Sequence, residues 1–185
     1  MRRGIIRIVM LLLAGSIVGP ATLPALAAPK SGVSELAVSE ISASQYRPDR
    51  EECEMLRRIN TYRTSKGLGA LKLSKTLGAA AEHHSVEMAK YNYFSHTLRN
   101  GVTWSENIVN HGYPSNAYRA ENLAAGNSGA WNTFVQWRNS SGHNSIMLTS
   151  SYKAIGIARA SNSDSDYGWY WTATFGSATS QTISC

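Results

Sequence analysis

Apolar positions along the chain change their spacing twice. A continuous apolar run from Ile8 to Val18 follows Arg2, Arg3 and Arg7 and is broken by Gly19-Pro20. Beyond residue 50 the period becomes helical. Met55, Ile59 and Tyr62 recur at three- and four-residue steps behind a cluster of acids, and Gly67 supplies a stop. Leu77, Ala81, His84, Met88 and Tyr91 form a second helical stripe with Ser74 as its N-cap. A short third helix is predicted from Thr103 to Asn110, ending at His111-Gly112. Trp131, Phe134, Val135 and Arg138 mark a fourth, capped by Ser128. The last third switches to period two. Ile155 and Ile157 share one face of Lys153 to Ala160, Ser161 to Asp166 is polar, and Gly168 to Phe175 is aromatic and β-branched, which together predict an antiparallel hairpin. Helices followed by a terminal hairpin predict an α+β domain, a sheet covered by helices.

The opening apolar run is well short of the roughly 20 residues that span a bilayer. With its basic start and the small-x-small sequence Ala25-Leu26-Ala27, it reads as a signal peptide over residues 1–28, cut after Ala27 or Ala28. Residues 29–50, rich in Ala, Ser and Pro, read as a flexible lead-in, and 51–185 as one domain without repeats. The mature chain is then expected to carry no membrane span, to be secreted or wall-associated, and to be a monomer.

Removing the leader changes the charge. Of 18 basic residues 15 remain against 12 acidic ones, so a net +6 falls to +3. The remaining cations are scattered rather than striped, which argues against nucleic-acid binding and leaves a mild attraction to anionic walls or membranes. Cys53 and Cys185 are the two cysteines. In an exported protein an isolated pair reads as one disulfide, with two free thiols as the alternative; closing so long a loop contributes roughly 4–5 kcal/mol in the chain-entropy picture.

Candidate chemistry lies in three blocks: Tyr93-Phe94-Ser95-His96, Ala120-Glu121-Asn122-Leu123-Ala124, and Trp137 through Ser140 to His143. Each sets an ionisable side chain in an aromatic or small-residue frame. Two imidazoles and a carboxylate are costly to bury unless they meet partners, so His96, Glu121 and His143, with Ser140 beside them, are expected to share one polar cleft.

These blocks, in this order, resemble the CAP superfamily (cysteine-rich secretory proteins, antigen 5 and pathogenesis-related 1 proteins), whose unit is the SCP domain. Leu56, Asn60 and Arg63 match its L-x-x-x-N-x-x-R helix, and Gly67-Leu68-Gly69-Ala70-Leu71 the following G-L-x-x-L. His84 precedes Met88-Ala89 as in the family, Phe94-Ser95-His96 matches F-S-H, and Ala120–Ala124 matches G-E-N-[IL]-A with alanine for glycine. Trp137 to His143 matches the bacterial W-x-x-S-x-G-H form, and Ile155-Gly156-Ile157-Ala158 the closing strand. The resemblance implies an α-β-α sandwich with a small antiparallel sheet. It also implies a cleft tetrad in which His96, Glu121 and His143 fill three places. Ser140 stands where eukaryotic members have the second Glu, and Asn144 where bacterial relatives often have Arg.

Several readings of the cleft stay open. His96, His143 and Glu121 suit a zinc ion with an open fourth position. They equally suit a hydrogen-bonded cluster, or direct contact with a lipid or cell-wall ligand. Ser140 or Ser141 beside His143 suggests a hydrolase, serine-dependent or metal-assisted, although no nucleophile-elbow sequence surrounds either. The favoured expectation is a non-enzymatic binding domain. Glu106 offers a substitute carboxylate or a solvated helix face; His84 is expected at the core edge with one hydrogen bond, His83 exposed, and His111 at a helix C-terminus. Trp169, Trp171 and Phe175 are expected in the sheet core; Tyr170, Tyr113 and Tyr118 read first as packing residues, with a groove for an apolar or sugar ligand as the alternative.

Overall fold

The computed structural model describes residues 42–185, so the expected signal peptide and the first part of the lead-in lie outside the described residues. In chain order the elements are α1 (Arg50–Ser65), β1 (Lys72–Ser74), α2 (Lys75–Tyr91), α3 (Trp104–Asn110), β2 (Arg119–Ala125), α4 (Ala130–Asn139), α5 (Ser141–Met147), β3 (Ala154–Ser161), β4 (Trp169–Gly176) and β5 (Thr182–Ile183). The five strands form one sheet in the order β2-β4-β3-β1-β5, with β2 at an edge. β3 and β4 form the expected hairpin. The sheet is mixed rather than wholly antiparallel, because β1 runs parallel to β3. A parallel pair needs a long crossover, and the chain between β1 and β3 supplies one through four helices and β2.

Alternation along β4 sorts the two faces. Trp171, Ala173 and Phe175 pack with Met55 and Ile59 of α1, Phe134 and Trp137 of α4 and Met147 of α5. Tyr170 turns the other way, into a cluster with Met88 and Ala89 of α2 and Leu123. Thr172 and Thr174 share that second face: Ser85 Oγ donates to Thr172 Oγ1 at 2.8 Å, and Thr174 Oγ1 donates to the Leu77 carbonyl at 2.9 Å. Tyr170 and Tyr113 are therefore buried and line no groove; of the three tyrosines only Tyr118 is exposed.

α2 reaches the sheet closely because Gly78 and Ala81, three residues apart on one face, carry little side chain, with the small Ala79 and Ala80 buried beside them. Opposite them is Gly156 of β3, where any Cβ would overlap the Leu77 carbonyl and the Gly78 amide. A Cβ on Gly78 would strike the ring of Tyr46, which is 1% exposed and donates its hydroxyl to the Ile157 carbonyl at 2.5 Å. Packing thus begins upstream of the expected boundary at residue 51.

Helix ends follow local chemistry. Asp49 and Glu52 form a capping box at α1, and Thr103 and Glu106 form one at α3, each contributing about 1 kcal/mol. The Glu106 carboxylate is consumed there, accepting from Thr103 N and Oγ1 at 2.8 Å, so it does not substitute for the missing cleft acid. α4 is capped by Gly129 rather than Ser128, and the Ser128 carbonyl instead accepts from Arg159. The family-like residues of α1 prove to be clamps: Asn60 brackets Leu71 N and O, and buried Arg63 donates to the carbonyls of Gly69, Met147, Thr149 and Tyr152. Cys53 of α1 is disulfide-bonded to Cys185 across 132 residues, a closure of about 5 kcal/mol in the chain-entropy picture.

Glu52 is the costly member of this frame. Its oxygens accept from Asp49 N and Arg159 N at 2.8 and 2.9 Å, yet burial pushes its carboxyl up to about 7. A carboxyl whose folded pKa is raised favours folding while protonated. Stability should therefore fall by up to about 3 kcal/mol as pH rises from near 4.5 toward 7. Thermal unfolding of Glu52→Gln across pH 5 to about 7.5 should show a visibly flatter dependence. An unchanged slope would assign the dependence to another group.

Candidate functional site

Glu121 occupies the third position of edge strand β2. Successive strand residues point to opposite faces, so Glu121 faces α2 while Asn122 faces α5, where its amide donates to the His143 carbonyl at 3.0 Å. The adjacent Glu-Asn pair therefore does two jobs from one strand. Trp137 ties α4 to the same strand, its indole N–H donating to the Leu123 carbonyl at 2.9 Å.

The Glu121 side chain is 1% exposed, and each oxygen meets an imidazole. Oε2 lies 2.8 Å from His84 Nδ1, and Oε1 lies 2.8 Å from His96 Nδ1. His84, from the middle of α2, is fully buried, and its Nε2 lies 2.9 Å from the Ser95 carbonyl. A carbonyl only accepts, so His84 carries a proton on Nε2. The short Nδ1–Oε2 contact then needs one further proton, on ring or carboxyl. In either form His84 links Glu121 to the loop that carries His96. This corrects the expectation of a single-bonded core-edge histidine: His84 belongs to the site. The available signal was its place in the family-like spacing four residues ahead of Met88-Ala89.

His96 follows the loop after α2. Its carbonyl accepts from Trp104 N at 3.0 Å, its Nδ1 meets Glu121, and its side chain is 53% exposed, leaving Nε2 toward solvent. The hydrogen bond to Glu121 raises its pKa above the ordinary value, against the opposing effect of partial burial. His143 stands in α5 with its Nδ1 buried and without a hydrogen-bond partner. Burial lowers its pKa, and the nearby charge of His96 lowers it further. The structure thus brings His96 and Glu121 into direct contact, with His143 within electrostatic reach of His96.

Ser140 lies at the junction of α4 and α5, its N–H donating to the Trp137 carbonyl. Neither its hydroxyl nor that of exposed Ser141 is hydrogen bonded to His143. His83 is partly buried rather than exposed, with Nδ1 2.9 Å from Asn107 Oδ1. His111 caps the end of α3, its Nδ1–H donating to the Asn107 carbonyl.

As folded, only the Nε2 of His96 and the imidazole of His143 stay uncommitted to Glu121, fewer than the three protein ligands of a zinc centre. Among the described residues no group of three His, Cys, Asp or Glu side chains is placed to hold a metal ion. Both Glu121 oxygens and the His96 Nδ1 are already committed to one another and to His84. The large groove of about 1020 Å³ lies elsewhere, along α1, and includes none of these residues.

Residues 56–175 match the family model described as "CAP: Cysteine-rich secretory protein family". No curated protein matches the chain. Among solved structures, an outer surface protein from Borrelia burgdorferi aligns at 23% identity and TM-score 0.61, covering 72% of this chain and 98% of that one. An extracellular SCP-domain protein from Bacillus anthracis aligns at 23% identity and TM-score 0.59, over 68% of this chain but 39% of that one. A cysteine-rich secretory protein from Staphylococcus aureus aligns at 19% identity and TM-score 0.53, over 72% and 41%. At these identities the likeness carries the fold.

The two exposed-side histidines should titrate apart. In an NMR titration His96 should have its midpoint above about 6.5 and His143 below it. The contribution of His96 to stability is complete below 6.5 and is lost as pH rises through its raised midpoint. That of His143 is present above 6.5 and is lost as pH falls through its depressed one. Replacing His96 by Ala should move the His143 midpoint partly back upward. A coincident pair of midpoints would break the arrangement of charges described here.

Proposed function

The chain belongs to the CAP, cysteine-rich secretory protein family, and from that premise we propose an exported, non-catalytic binding domain that holds an apolar or cell-envelope ligand beside His96, Glu121 and His143. The basic and apolar leader supports export, as does the Cys53–Cys185 disulfide, since such bonds persist in oxidising compartments. Among the described residues no helix is long and apolar enough to cross a membrane.

The observation that carries the binding reading is the double engagement of Glu121. A carboxylate engaged by two imidazoles is a positioning group: it holds the Nδ1–H of His96 and fixes the ring's tilt, leaving Nε2 outward as an acceptor in the neutral ring and a donor in the protonated one. Two residues before His96 an apolar surface begins. Phe94 and Tyr167 are 45% and 50% exposed, with ring centroids 5.8 Å apart. An aromatic pair next to a fixed imidazole suits a molecule with an apolar body and a polar head. The serine-dependent form of the hydrolytic alternative needs a serine engaged by His143, and neither Ser140 nor Ser141 is; the metal-assisted form needs a three-ligand group, and among the described residues none is assembled.

The test starts from what the exported protein retains. Native mass spectrometry should find a bound envelope molecule, and His143→Ala should reduce its retention about 3- to 10-fold with the melting temperature nearly unchanged. Phe94→Ala should act in the same direction. Full retention by a folded His143→Ala variant, or turnover of ester, peptide or glycan libraries by the parent, would refute the proposal.

A further inference from the structure

The outer face of α1 carries chemistry that the His–Glu site does not use. A groove of about 1020 Å³ runs along this helix past the start of α4, and a smaller one of about 240 Å³ continues toward Arg138. The two share Arg57, Arg58, Thr61 and Trp131, so they are adjoining stretches of one furrow. α1 has 16 residues, which sets the furrow's length at roughly 24 Å.

Cations are spread along it and held in place by aromatic rings. The Arg58 guanidinium lies 4.5 Å from the centroid of Trp131, and that of Arg138 lies 5.8 Å from Phe134. Stacking of this kind fixes the guanidinium plane; it leaves the N–H edge of Arg138 available for bidentate contact with a phosphate, and the Nη1 of Arg58 for a single one. Trp131 remains 52% exposed within the furrow.

The acids present do not neutralise these cations. Glu54 accepts from Nε and Nη2 of Arg57 at 2.8 and 2.6 Å and from Nη2 of Arg58 at 2.5 Å, so one negative charge serves two positive ones and Arg57 keeps its Nη1 outward. Glu51 is spent on the Ala130 amide at the start of α4, at 2.8 Å, while Arg50 and Arg138 add further positive charge. Arg58 Nε is screened from water and has no hydrogen-bond partner, so this guanidinium is short of acceptors.

We propose that this furrow binds a phosphate-bearing polyol or glycan chain, its phosphodiesters held by Arg138, Arg58 and the outward Nη1 of Arg57 and its uncharged segments lying over Trp131. An elongated concave surface with cations at intervals suits a flexible chain of repeated negative charge. A bilayer would instead require the aromatic and basic side chains on a protruding face. The inference is independent of the ligand assigned to the His96 site.

The experiment uses the disulfide-bonded exported protein with poly(glycerol phosphate) as probe, and phosphatidylglycerol vesicles as the same headgroup chemistry in a bilayer. The parent should bind the polymer and weaken steeply as salt rises. Arg57→Gln/Arg138→Gln alters two exposed side chains and should weaken polymer binding about tenfold or more. Trp131→Ala should weaken it about threefold. Lys72→Gln/Lys153→Gln removes the same charge from exposed positions elsewhere and should stay within about twofold of the parent. Equal binding by the arginine variant, equal loss in the lysine control, or retention on vesicles without binding to the polymer would each overturn the proposal.

Discussion

The approach of α2 to the sheet is the constraint from which the rest of the domain follows. Helices usually stand off a sheet by the width of their side chains, but here Gly156 and the Gly78–Ala81 face remove most of that width. Backbone comes close to backbone, and the polar groups in the gap must find partners there. They do, through the Ser85–Thr172 hydroxyl pair and the Thr174 bond to the Leu77 carbonyl. The same close approach puts His84, one residue before Ser85, within hydrogen-bond reach of a carboxylate on the edge strand.

Glu121 could not stand where it does without that arrangement. A buried carboxylate with no partner would be strongly disfavoured. With one imidazole from the rigid helix and another from the following loop, each oxygen is satisfied, and the loop is clamped through the Ser95 carbonyl. The site therefore inherits its precision from the core: α2 fixes His84, His84 fixes Glu121 and Ser95, and these fix His96. His143 arrives separately on α5, which Asn122 ties to β2 through the His143 carbonyl, while Trp137 ties the preceding α4 to the same edge strand.

Much of this was legible in the sequence, and the misses share a physical cause. The α1, α2 and α4 stripes and the β3–β4 hairpin follow simple periods, so their elements could be read directly. The pairing of Cys53 with Cys185 followed from compartment and count. What escaped were relations between distant residues. β2 reads as a motif rather than a strand because it is buried on both faces and shows no alternation. His84 reads as ordinary core because its partner is 37 residues away. Glu106 looks free for the cleft until Thr103 is recognised as the N-cap that consumes it, and Tyr170 looks available until α2 covers the face it points to. The three-residue β1 is too short for a period to register, so its parallel pairing with β3 could not be anticipated.

The clamps on α1 serve the exposed side as well as the buried one. Arg63, Asn60 and the disulfide each fix the helix to a different part of the chain, and Met55 and Ile59 are wholly buried beneath it. A helix held at so many points cannot roll, so the positions of Arg57, Arg58 and Trp131 relative to α4 are set before anything binds. Rigid cations bind an anion with less entropic loss than mobile ones. The residues that stabilise the fold from inside α1 thereby preorganise its outer surface, just as α2 preorganises the histidines at the sheet's far edge.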